Sequence, residues 1–243
     1  MSAKGKTPIK ESKIKMPAST FMSWAGVSAM AAGLCLIVIG MFHPVNIPAS
    51  VITATWVNVH IFAFVLGFFG VFGMAGLYIR QAEKSGWLGL AGFILFSVWM
   101  ILVSGFSFVE ALILPRLVTE SPKFVEGFLG MFTGIPSEID FGILPTLWKI
   151  ADPMYLLGPL LFGIATFRAG ILPRWAGALL VAAAVLAPVG ALLVPAEYQA
   201  RVMLPNGLAF AWLGYALFSE RREKTSESLL DQTAVKAEPS QVV

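Results

Sequence analysis

His43 and His60 are the two imidazoles of this 243-residue chain, and they bound the chemistry open to it. Histidine changes charge near neutral pH, so either could handle a proton or bind a ligand, and the two together could hold a haem or a metal ion. Glu110 and Asp152 offer carboxylates, Lys149 an ammonium and Asn58 an amide. A zinc ion would recruit Glu110 or Asp152, yet no zinc-ligand spacing is present. The single cysteine, Cys35, cannot form an internal disulfide and has no thiol neighbours, so it reads as a packed thiol. There is no Gly-x-Ser-x-Gly elbow, no His-Glu-x-x-His pair, no phosphate-binding loop and no dinucleotide fingerprint. Nothing conventional marks the chain as an enzyme, and no cofactor is named by its residues.

The elements that must position these side chains are set by composition. Hydrophobic residues make up 57% of the chain and charged residues 13%, about half the charge of a typical soluble domain. No Asp, Glu, Lys or Arg occurs over 16–79, and further charge-free runs cover 85–109, 153–167, 175–196 and 202–219. At about 20 apolar residues per crossing, this predicts an all-α polytopic membrane protein with six transmembrane helices, near 20–42, 54–79, 86–112, 145–168, 174–195 and 203–219. Turn residues over 43–50 split the first long run into two helices joined by a short loop. The first apolar run is too long for a signal-peptide core and lacks a cleavage site, so it is expected to remain as a helix.

Six crossings put both termini on one side. Of the 17 Lys and Arg, 13 fall in the tails and the second and fourth connections, which places both tails in the cytoplasm by the positive-inside rule. The net charge of +3 and pI near 9.1 come from residues at the membrane borders, a distribution that argues for the lipid bilayer as partner and against nucleic acid. The chain thus divides into a basic cytoplasmic tail (1–19), a membrane domain (20–219) and a polar cytoplasmic tail (220–243), the last expected to be a short helical extension followed by disorder.

The first, third and fifth spans each open with Trp-x-Gly: Trp24-Ala25-Gly26, Trp87-Leu88-Gly89 and Trp175-Ala176-Gly177. Arg80 and Arg168 each stand seven residues before the next of these tryptophans. This predicts three repeated helical hairpins in parallel orientation, although the interfacial preference of Trp and Arg would produce part of the pattern. The run from Phe162 to Gly177, with its turn Leu172-Pro173-Arg174-Trp175-Ala176-Gly177, resembles the fourth-to-fifth-helix hairpin of a broad group of uncharacterised bacterial multi-pass membrane proteins. The resemblance implies a bacterial inner-membrane protein, and it carries no activity or site.

Ionisable groups inside or beside a span are costly and mark where function is to be sought. Here they collect toward the extracytoplasmic ends: His43, Asn58, His60, Glu110, Lys149 and Asp152. Gly67, Gly70, Gly73 and Gly76 follow His60 at helical spacing, so its face points into the bundle. His60 there is either a histidine satisfied by neighbouring backbone or a proton-handling or ligand-binding group. Asp152-Pro153 reads either as a helix start, with Asp as the cap, or as a kink at which Lys149 and Asp152 pair. Phe124, Phe128, Phe132 and Ile135 give the 117–144 loop a short amphipathic helix that rests on lipid or covers an outer cavity.

These features predict a protein that binds or moves a small solute or protons through an outward-facing polar pocket of His60, Asn58, Glu110, Lys149 and Asp152. An accessory subunit packed on a membrane partner, or a homo-oligomer, is the alternative. A redox protein with haem, metal or quinone near His60, His43 being the only possible second imidazole ligand, is another.

Overall fold

A computed structural model describes residues 18–237, with side chains over 19–220 apart from Ala191 and Ala196. The five lysines of the N-terminal tail and the expected disorder at 238–243 lie outside the described residues. Within them all regular structure is helical: α1 (Ala18–Phe42), α2 (Pro48–Val51), α3 (Ala54–Leu112), α4 (Leu114–Glu120), α5 (Pro122–Thr133), α6 (Leu144–Ala169), α7 (Arg174–Leu193), a 3-10 stretch (Ala196–Met203) and α8 (Leu204–Ala237). Four segments are long and apolar enough to cross a membrane: Ser19–Phe42, Ala54–Leu112, Leu144–Ala169 and Glu197–Glu220. A shorter apolar helix covers Arg174–Gly190.

α3 is 59 residues long, but Gly86 breaks it with φ 53 and ψ −148, a conformation that strains any residue with a Cβ. Its arms, 54–85 and 87–112, fold side by side into a hairpin with no intervening loop. Ser104 Oγ donates to the Phe64 carbonyl at 2.6 Å, and a Cβ on Gly67 would stand 2.4 Å from that of Ser104. The other hairpin turn at this end uses Gly170, whose left-handed φ of 63 caps α6 before α7 begins.

Close contacts at small residues define a closed ring in chain order. Gly73 and Gly76 of the first α3 arm meet Ala29 and Ala25 of α1. Gly92 of the second arm meets the Phe162 backbone in α6, and Gly158 of α6 meets Phe96. Gly163 and Gly177 bring α6 and α7 together; Gly190 of α7 meets Val202 of the 3-10 stretch. Gly207 and Gly214 of α8 close the ring against the backbone of Gly33 and Gly26 in α1. Among these helices the core holds Leu36, Leu66, Met74, Leu77, Phe96, Phe162 and Phe210.

Several local expectations need correction. The 43–50 connection leads into a one-turn helix, α2, started by Pro48 in the first turn, where a missing N–H is harmless. α6 begins at Leu144 with Pro145 in its first turn and continues through Pro153 and Pro159. Asp152 is therefore a helix-interior residue, not a cap. α8 extends to Ala237, well beyond the short extension that its polar composition suggested. The loop after α3 carries two helices, and the apolar face of α5 packs on the bundle end: Phe128 and Val125 are buried with Val51, Trp56, Phe106 and Leu114.

The two ends of the ring differ. At the Gly86 end the interior is filled by Leu77, Leu172 and Leu217, Gln81 Nε2 donates to Thr166 Oγ1 at 2.8 Å, and Arg80 pairs with Glu220. At the α5 end the ring holds a cavity.

Candidate functional site

Three successive features fix the cavity's polar wall. Thr53 caps the first α3 arm, its Oγ1 accepting the Trp56 N–H at 3.2 Å and donating to the Ser50 carbonyl at 2.7 Å. Trp56 and His60 follow one turn apart on the face that enters the bundle. At the far end of the second arm Glu110 lies in the last turn of α3, before Pro115 forces the chain into α4.

The side chains then interlock. Trp56 Nε1–H donates to the Glu110 backbone carbonyl at 2.8 Å, tying the two arms together. His60 Nδ1 lies 2.7 Å from the Trp56 carbonyl. A carbonyl only accepts, so Nδ1 carries a proton and donates. That fixes Nε2, which faces Glu110 Oε1 at 3.5 Å. His60 is 1% exposed and Glu110 6%, and Nε2 has no hydrogen-bond partner. Ser107 Oγ donates to the other carboxylate oxygen at 3.4 Å.

This geometry has a chemical consequence. A bare Nε2 lone pair and an ionised carboxylate are both acceptors and repel at this separation in a dry wall. The arrangement is stable when one proton is held between the two groups, or when another positive charge takes its place.

His43 joins them from the end of α1, its ring 5.0 Å from that of His60 in an edge-on contact. Its Nδ1 donates to the Pro44 carbonyl at 2.7 Å. Burial pushes its pKa below the ordinary value and the neighbouring His60 adds to that, while Glu110 and the Pro44 carbonyl oppose it. His43 is thereby held neutral, its Nε2 free to accept.

The cavity that these groups line measures about 680 Å³. Asp152 reaches it from α6, together with Trp148 and Tyr155, and Trp99 and Phe106 from the second α3 arm supply aromatic walls. Tyr155 accepts from Asn206 Nδ2 at 3.0 Å. Phe132 and Thr133 of α5 close part of the mouth, Phe132 lying edge-on to Trp148 at 4.6 Å. Asn46 lines the cavity from the loop after α1, and its Oδ1 is buried without a partner.

Of the residues singled out in the sequence, His43, His60, Glu110 and Asp152 therefore converge on one cavity. Asn58 and Lys149 do not. Both are absent from its lining; Asn58 is two positions from His60 and so on the opposite side of the helix. No ion pair joins Lys149 to Asp152 among the described residues. The pairing of His43 with His60 as haem or metal ligands meets a steric objection. A porphyrin between two axial imidazoles needs a metal–nitrogen bond of about 2 Å on each side, and these rings, 5.0 Å apart centre to centre, leave no room for one. No group of three or more His, Cys, Asp and Glu gathers to hold a metal among the described residues.

Sequence reasoning missed Trp56, Trp148 and Tyr155. Each stands three or four residues from a residue already singled out, on the same helical face, which is the signal that would have found them.

No protein-family model matches the chain, and neither a curated protein nor a solved structure does.

Proposed function

We propose that the chain is a six-crossing protein of a bacterial inner membrane that binds a small solute in the α5-end cavity, with the His60–Glu110 pair as its proton-holding group. The observation that carries the reading is Nε2 of His60, 1% exposed, 3.5 Å from Glu110 Oε1, without a hydrogen bond and set in the wall of a cavity of about 680 Å³. A buried polar atom without a partner is rare and calls for one. A mostly apolar, aromatic pocket with a few convergent polar groups is the usual form of a small-molecule site.

The membrane arrangement follows from lengths and charge. Each arm of α3 has at least 26 residues, about 39 Å of helix at 1.5 Å per residue, which exceeds the ~30 Å hydrocarbon core. Counting each arm with α1, α6, α7 and α8 gives six crossings in three hairpins. The three tryptophans of the repeated Trp-x-Gly are exposed at the Gly86 end, where they suit a membrane border. The lysine and arginine excess at that end puts it, and both tails, in the cytoplasm. The cavity then faces outward. The packed Gly86 end favours binding over a continuous path.

Native mass spectrometry of protein gently extracted from its own membrane tests this reading. A small-molecule adduct is expected on the wild type and on a surface variant, and lost in Ala63→Phe, which fills the cavity from the first α3 arm. A bare chain in fixed ratio with a second polypeptide would replace this reading with that of an accessory subunit.

A further inference from the structure

We infer that the cavity selects an organic cation with an apolar body, a lipophilic amine or quaternary ammonium, and takes it up in exchange for the proton of the His60–Glu110 pair. The inference rests on the proposed binding function and names its ligand class.

The lining is one-sided in charge. Two carboxylates, Glu110 and Asp152, reach the cavity, and among the described residues no lysine or arginine does. The four cations of this end, Arg116, Lys123, Lys149 and Arg201, are all exposed. Lys123 pairs with Glu138 at 2.9 Å, and Arg201 lies 4.3 Å over the Tyr198 ring. An anionic head would meet carboxylates with nothing to neutralise it, so anionic lipids and fatty acids are poor occupants.

Three uncharged acceptors point the same way. Nε2 of His60 and Oδ1 of Asn46 are buried acceptors without donors. The Nε2 atom of His43 is a third acceptor, since its Nδ1 is committed to Pro44. Trp99, Trp148, Tyr155 and Phe106 supply ring faces of the kind that attract a desolvated cation. A neutral solute could use the rings but would gain nothing from the two carboxylates.

The exchange balances. In the empty site one proton rests on the His60–Glu110 pair, on Nε2 or on the carboxylate. When a cation enters, that N–H or O–H bond breaks and the proton leaves to water. His60 stays neutral with its Nδ1 proton on the Trp56 carbonyl, and Glu110 stays ionised beside the ligand. One positive charge enters and one leaves. The titratable groups that share the cavity with Glu110 are His60 from the first α3 arm, His43 just after α1, and Asp152 and Tyr155 from α6. α5, α7 and the 3-10 stretch add no titratable side chain to the lining. Low pH therefore favours the proton over the ligand.

The test uses two probes of nearly equal size and opposite charge, tetraphenylphosphonium and tetraphenylborate, titrated into the full chain in nanodiscs with empty discs subtracted. The cation is expected to bind at least tenfold tighter than the anion and to weaken at least fivefold from pH 8 to pH 6. Glu110→Gln should lose most of the cation affinity and its pH dependence, while Lys149→Gln, outside the cavity, should bind as wild type. Equal binding, or preference for the anion, in a manner abolished by Ala63→Phe, would overturn the ligand class and leave the pocket standing. Binding of neither probe, with Ala63→Phe indistinguishable from wild type in native mass spectrometry, would overturn both.

Discussion

Nε2 of His60 stands 3.5 Å from Oε1 of Glu110 with its other ring nitrogen already committed to the Trp56 carbonyl. Because the tautomer is fixed from behind, the proposed proton or ligand belongs in front, between the ring and the carboxylate. His60→Phe removes the partner of a nearly buried carboxylate, and a loss of about 1–3 kcal/mol is expected. Glu110→Gln should lose less, because an amide can donate to Nε2. Thermal unfolding of the detergent-solubilised variants orders them, and a Gln variant less stable than the Phe variant would speak against the shared proton.

His43 gives the fold a pH dependence of definite sign. Its folded pKa lies below the ordinary 6.5, so between the two values the unfolded chain binds more protons, and stability falls as pH drops through that window. The groups nearest it are His60 and Glu110, with Asp152 across the cavity. The melting temperature should decline between pH 7 and pH 5, and His43→Phe should flatten that decline. An unchanged slope in the variant would assign it to other groups.

Two glycines separate packing from propensity. A Cβ on Gly33 would fall 2.6 Å from the Gly207 carbonyl oxygen and the Ala211 nitrogen, whereas one on Gly105 meets nothing within 4 Å. Gly33→Ala is expected to cost about 1–3 kcal/mol by forcing α1 and α8 apart. Gly105→Ala should be neutral or stabilise by up to about 1 kcal/mol, the helix preference of Ala over Gly. Comparing the two melting temperatures checks the ring closure itself.

Cysteine labelling tests the orientation. Cys35 is buried, so in a Cys35→Ala background a single cysteine at Ser137, near the end of the α5 region, should react with an impermeant maleimide on intact cells. One at Ser219 should react only after the membrane is opened. The reverse pattern would put the cavity on the cytoplasmic side.

How far the sequence could be read varied with the physics of each element. Long charge-free runs located α1, the second arm of α3, α6 and α7 to within a few residues, and the starts of the first α3 arm and of α8, because an apolar helix needs little beyond length and hydropathy. The hairpin at Gly86 was harder to foresee. Composition suggests a polar loop there, but a single glycine at φ 53 reverses the chain. The entry of His60 into the bundle was legible from helical spacing. Which side chains share a cavity was not, since that depends on the rotation of α6 about its axis. That rotation admits Asp152 and Tyr155 and turns Lys149 to the surface. The packing of α5 was equally hidden, because an amphipathic helix looks the same whether its apolar face meets lipid or Phe106.

The most direct test of the account is proton counting. Calorimetric titration of tetraphenylphosphonium at pH 7, repeated in buffers of different ionisation enthalpy, yields the protons released per cation bound. About one is expected for the wild type, and none for any residual binding to Glu110→Gln. Binding without proton release, or release that survives Glu110→Gln, would contradict the claim that the His60–Glu110 pair holds a proton which the ligand displaces.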